Sequence, residues 1–203
     1  MFVRLTVAAA ALLVTAACSQ HTGTPIGRTV EAPSPHTLTP SAALDLHAAV
    51  RRWWQRSVAM PRSQYFTPKG CGLKQPADIW LLGGGPAGDE THRRCDVPAN
   101  RLILAPVITG LADTDLPSPS EPMPDSGPMD VRLDGRSLTP VKIENRPYRL
   151  HGAPGSVVRG DVRVTDDGYW VLLPGLAPGV HTLTIRIPGL HERPYLAWTL
   201  NAT

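Results

Sequence analysis

From Met129 onward the chain is a series of short apolar runs set between turn dipeptides, and that pattern restricts it to β architectures. The runs are 129–134, 138–143, 147–151, 157–164, 169–173, 180–187 and 194–201. Asp134-Gly135, Asp167-Gly168 and Pro178-Gly179 each stand beside one of them as turn signals. Alternation is plain in two runs: His181, Leu183, Ile185 and Ile187 share one face, and so do Leu196, Trp198 and Leu200. A spacing of about 8–12 residues predicts a mainly β fold, a β-sandwich of Ig-like or jelly-roll-like type, rather than βαβ units. Residues 78–82 and 101–108 read as buried strands that join its sheets, so 38–203 is expected to form one domain.

One N-terminal helix precedes the strands. Thr39 suits an N-cap and Pro40 a first helical position, while Leu46, Val50 and Trp53 fall at helical spacing. Arg51, Arg52 and Arg56 mark its polar side and C-terminal end, and Pro61 closes the pattern. The Trp53-Trp54 pair invites a sugar-stacking role. A helix that buries Trp53 and leaves Trp54 at its edge is the plainer expectation.

Residues 83–88 match G-x-G-x-x-G after a strand, but a dinucleotide site needs a helix opening at those glycines. Pro86 and the polar run Asp89-Glu90-Thr91-His92-Arg93-Arg94 follow instead, so the glycines are expected to form a turn. Residues 113–128 are rich in proline and hold four acidic residues, which predicts a solvated loop. Asp113, Asp115 and Asp125 offer oxygen ligands, though not at an EF-hand spacing.

The first 17 residues have the parts of an export signal: Arg4, the apolar stretch 5–14, and small residues at 15–17. The apolar stretch is shorter than the roughly 20 residues a permanent span needs. Cys18 follows directly, in the place of a lipidated residue; ordinary secretory cleavage near Ala17 would instead leave it a free thiol. Residues 18–37 lack hydrophobic periodicity and read as a flexible tether from lipid to domain. The expected location is extracytoplasmic, with the chain anchored to the cell membrane through Cys18.

Two cysteines remain, Cys71 and Cys95, and an even pair in an oxidising compartment predicts one disulfide. The rival is a metal site with His92 and Cys95, for which zinc would need two more ligands. No metal or other cofactor is expected. The formal charge of +3 becomes about +2 without residues 1–17, too mild to point to nucleic acid. Of the 20 basic residues only Lys69, Lys74 and Lys142 are lysines, a GC-rich codon signature.

Several pieces between Trp53 and Val107 resemble a group of uncharacterised secreted bacterial proteins common in actinobacteria. Their pattern runs from a tryptophan-rich helix through G-x-C and V-W-F-L-A-G to R-x-C-x-V-P-A-G-K. The matching pieces are Trp53-Trp54, Gly70-Cys71, Ile79-Trp80-Leu81-Leu82-Gly83 and Arg94-Cys95-Asp96-Val97-Pro98-Ala99-Asn100-Arg101. Leu176-Ala177-Pro178-Gly179-Val180-His181-Thr182 is similar to the group's P-G-x-H-T turn. Asn100 replaces a glycine, and Asp78 stands where the pattern is apolar, which predicts an exposed strand start. The resemblance covers about a third of the chain, implies a shared fold and an extracytoplasmic disulfide, and carries no activity.

Nucleophile elbows, H-E-x-x-H and P-loops do not occur in the sequence. His151 and His181 could each meet Asp161 or Asp166 in space. Two classes of function follow. The first is a non-catalytic envelope module that binds a protein or glycan partner through Trp54, Trp170 and the 83–94 loop with Asp89, Glu90 and His92. The second is an extracytoplasmic hydrolase acting on cell wall or polysaccharide, with acids such as Asp89, Glu90 or Asp161. Binding is the preferred expectation.

Overall fold

The computed structural model describes residues 44–84, 91–114, 127–187 and 196–203. The expected signal, Cys18, the tether, Thr39 and Pro40, and Asp115 with Asp125 lie outside them. So do Asp89 and Glu90.

Strand alternation builds two sheets. The first has the order β1 (Trp80–Leu81), β3 (Ile103–Asp113), β7 (Gly160–Leu173) and β6 (Val141–Gly152). The second runs β2 (Thr91–Val97), β9 (Leu196–Ala202), β8 (Gly179–Arg186), β4 (Asp130–Leu133) and β5 (Arg136–Leu138). Most pairings are antiparallel, but β1 pairs β3, and β2 pairs β9, in parallel. Ile103, Ala105, Val171 and Leu173 of one sheet meet Leu183, Ile185, Trp198 and Leu200 of the other in a shared core. The mainly β, two-sheet architecture expected from the alternation is present.

Helix α1 (Leu46–Val58) makes a third layer on the outer face of the first sheet. Asp45 caps it, its side chain accepting from Ala48 N at 3.1 Å. Val50, Trp53 and Val58 pack on Leu104, Ile143, Leu150, Val164 and Trp170 in a second core. Trp53 sits at its centre, edge-on to Trp54 at 4.9 Å, Trp170 at 5.1 Å and Tyr65 at 6.4 Å. Trp54 is 8 % exposed against 3 % for Trp53, so both rings belong to this core and neither offers an open surface.

Polar groups fix how α1 lies on the sheet. Arg51 donates to Asn145 Oδ1 at 3.0 Å, and Asn145 Nδ2 donates to both carboxylate oxygens of buried Asp166 at 3.1 and 3.0 Å. Burial pushes the Asp166 carboxyl above its ordinary range. Gln55 bonds both the carbonyl (2.9 Å) and the amide (3.2 Å) of His151, so a side chain satisfies backbone on edge strand β6 where a neighbouring strand would. Arg52 pairs with Asp78, which is exposed at the start of β1 as its polar character predicts.

Two turn signals read from sequence differ in outcome. Asp134-Gly135 is a two-residue hairpin loop, with φ of 50° and 78°, joining β4 to β5. Asp167-Gly168 is no turn: it lies inside one continuous strand, β7, that joins residues 160–164 to 169–173, just as residues 141–143 and 147–151 merge into β6 while Leu138 ends β5. Gly168 is there for close packing, since a Cβ on it would stand 2.7 Å from the Ile108 carbonyl oxygen, beside the bulge at Pro106/Ile108. No helix among the described residues is long and apolar enough to cross a membrane.

Cys71 and Cys95 are joined, with Cα atoms 5.8 Å apart and a sequence separation of 24. The bond ties the short helix α3 (Pro68–Gly72) to edge strand β2. For a loop of that length the chain-entropy model gives about 3 kcal/mol of stabilisation. Replacing both cysteines by alanine is expected to lower the urea midpoint accordingly. A midpoint indifferent to the substitution, and to reductant in the wild type, would contradict this.

Candidate functional site

The site grows from the edge strand β2. Its alternation sends Cys95 and Val97 into the core and leaves His92, Arg94 and Asp96 exposed on the outer face. On the neighbouring strand Thr199 stands opposite Arg94, and Asn201 opposite Asp96, to which it donates at 3.1 Å. Helices α2 (Arg62–Tyr65) and α3 lie close to this strand, joined by Phe66-Thr67. Thr67 caps α3 by accepting from Gly70 N at 3.1 Å, and Pro68 occupies its first turn, so this wall has a locally determined shape. Between wall and strand lies a surface pocket of about 340 Å³ lined by Phe66, Thr67, Pro68, His92, Arg93, Arg94 and Thr199.

Arginine braces the pocket from behind. Arg93 turns inward, its guanidinium 4.7 Å from the Trp198 ring centre and 5.3 Å from that of Phe66. It donates to the carbonyls of Gly84 and, at 3.3 Å, Tyr65. Arg56 was expected on the polar side of α1, yet it is 4 % exposed. It lies beneath α3 and donates to Leu73 O (2.9 Å), Gly70 O (2.7 Å) and Cys71 O (2.8 Å), so the helix and the turn after it wrap around one cation. Burial lowers the pKa of both guanidinium groups, and the charge of Arg93 depresses that of Arg56 further. Among the described residues, neither forms an ion pair with a carboxylate.

Tyr65 closes the arrangement. Its hydroxyl accepts from Gly84 N at 2.9 Å and lies 3.1 Å from Ser57 Oγ, and burial raises its pKa. The chain after β1 is thereby held against α2, with Arg93 bonded on its other side.

Of the residues singled out in the sequence, His92 lines the pocket, on a strand rather than on the expected loop. Trp54 and Trp170 do not contribute a surface: they are 8 % and 1 % exposed, and both belong to the core beneath α1. His151 meets Asp161 at 2.8 Å, as one of the expected pairs. His181 meets Asp134 rather than Asp161 or Asp166, and Asp166 lies under α1. Among the described residues no group of three or more metal-ligating side chains converges. Arg56, Phe66, Arg93, Arg94 and Thr199 were missed as site residues. The available signals were the alternation of residues 91–97 and the position of Arg56, three residues after Trp53 on the apolar stripe.

No protein-family model matches the chain, and neither does a curated protein or a solved structure.

A second cluster, outside the pocket, has a pH-dependent consequence. His181 Nδ1 lies 2.7 Å from Asp134 Oδ2, and Nε2 lies 3.0 Å from the Ala177 carbonyl. Both partners are acceptors, so both ring nitrogens donate only when the imidazole is protonated. The Asp134 bond, with the Ala177 carbonyl, raises the His181 pKa. The stabilisation is then complete below the unfolded value of about 6.5 and is lost as pH rises through the higher folded value. Since the Asp134 side chain is 45 % exposed, the effect is discounted to roughly 1 kcal/mol or less. Wild type is expected to lose that much relative to His181→Gln between pH 6 and pH 8.5 (about 6.5 and above being the titrating range). Parallel stability profiles for the two proteins would refute it.

Proposed function

We propose that this chain is a lipid-anchored binding domain of the cell envelope, and that the pocket along β2 faces its ligand. The observation that carries the reading is a locally determined pocket at the edge of a sheet, braced by a disulfide and by half-buried Arg93, with Arg94 exposed beside it. Binding surfaces gain from such preorganisation, because the cost of ordering the groups is met in folding rather than on association. Support for the envelope comes from the export-like segment 1–17, the lipidation-type Cys18 and the resemblance to secreted actinobacterial proteins. The cystine suits the same oxidising compartment.

A photo-crosslinking residue placed at Thr199 tests the reading in the native cell. An adduct from that position, absent when the same residue replaces exposed Val157, is the expected result. Equal labelling from both positions, or none from Thr199, would overturn the pocket as the ligand face. Turnover of a wall polysaccharide by the purified chain would replace binding by hydrolysis.

A further inference from the structure

We infer that the β2 pocket is an anion subsite, taking a phosphate or carboxylate group of a ligand about the size of one sugar unit. The inference deepens the binding reading and rests on it for the place of the ligand. It starts from charge. Among the described residues, every charged or titratable side chain lining the pocket is basic: His92, Arg93 and Arg94. Behind them Arg56 adds a buried guanidinium. Arg93 and Arg56 are held by carbonyl oxygens and aromatic rings, which do not cancel net charge, and Arg56 Nη1 is buried with no hydrogen-bond partner among the described residues.

A guanidinium with no carboxylate partner among the described residues keeps its field, and where it is buried, as in Arg56, little water screens it. Part of that field reaches the adjoining pocket, where an anion would repay the mutual repulsion of the two guanidiniums. The carboxylate on β2 itself, that of Asp96, already accepts from Asn201. Arg94 is exposed, and its planar fork matches the paired oxygens of a phosphate or carboxylate. Thr199, opposite it in register, supplies a hydroxyl that can donate to the anion or accept from a sugar hydroxyl. The volume of about 340 Å³ lies at the small end of ligand sites, which limits the occupant to roughly one ring with its charged substituent.

Amide chemical-shift titrations of the detergent-extracted protein test this. The probes are inorganic phosphate, a hexose phosphate, a hexuronic acid and a neutral hexose, each at low salt. Anionic probes are expected to give saturable shifts on β2 and β9 that weaken as salt is raised. Arg94→Ala and Arg94→Gln should each weaken binding about tenfold or more, at unchanged melting temperature, while Arg149→Ala on the other sheet changes nothing. A preference for the phosphates over the uronic acid, or the reverse, identifies the charged group. Binding of the neutral hexose as tight as that of the anions, unaltered affinity in both Arg94 variants, or no saturable shift would overturn the subsite. The two readings fail separately. Anion binding without a Thr199 adduct would leave the subsite and remove the macromolecular partner; an adduct without anion binding would do the opposite.

Discussion

Arg56→Ala is expected to destabilise the domain by about 4 kcal/mol, as hydrogen bonds from a charged donor contribute roughly 1.5–3 kcal/mol each. Three carbonyls converge on this guanidinium. The cost is unequal among them. Gly70 O keeps the Leu73 amide and Cys71 O keeps the Gln75 side chain, while Leu73 O loses the charged donor that reaches it. Relief of the repulsion with Arg93 offsets part of the loss. A lysine at the same position has one ammonium where arginine has a fork, so Arg56→Lys should recover only about half. Urea unfolding at constant slope measures both variants. An alanine variant within about 1 kcal/mol of wild type would show that α3 is held by the disulfide alone.

Trp53→Ala should cost a similar amount, about 3–5 kcal/mol, by a different route. The side chain is 3 % exposed and touches Trp54, Tyr65 and Trp170, so its removal leaves a cavity that three rigid rings cannot close. Its indole nitrogen also donates to the carbonyl of Leu82, just after β1. Trp53→Phe keeps much of the packing and loses that donor, so about 1–2 kcal/mol is expected. For a domain of this size each kcal/mol moves the melting temperature by roughly 2–4 °C. Equal losses for alanine and phenylalanine would assign the whole effect to the hydrogen bond, contrary to this account.

Local alternation made the sheets legible. His181 to Ile187 and Leu196 to Leu200 each show their inward face in the sequence, and Asp134-Gly135 is a turn because both residues adopt positive φ, which that pair tolerates. Asp167-Gly168 has the same dipeptide chemistry and lies mid-strand. What decides there is the approach of the β3 backbone, a tertiary contact that no local pattern encodes. The parallel pairing of β2 with β9 joins segments about a hundred residues apart and was equally hidden.

The candidate site was harder to read for a related reason. Surface aromatics were sought, and Trp54 and Trp170 lie inside because the helix layer covers that face of the sheet. Arginine reads by default as solvated, whereas Arg56 is buried and Arg93 half-buried under the wrap of α2 and α3 along the edge strand. Only His92 was picked out among the residues that line the pocket. The cysteine pair was legible from its count, and it is the element that holds this wall to β2.

The intact mass of the native protein, gently extracted from its own membranes, tests most directly the claim of an exported, lipid-anchored domain. The account predicts a chain beginning at Cys18 that carries a diacylglyceryl group and lacks the pair of hydrogens lost in joining Cys71 to Cys95. An unmodified chain that begins elsewhere, with both thiols reduced, would contradict it.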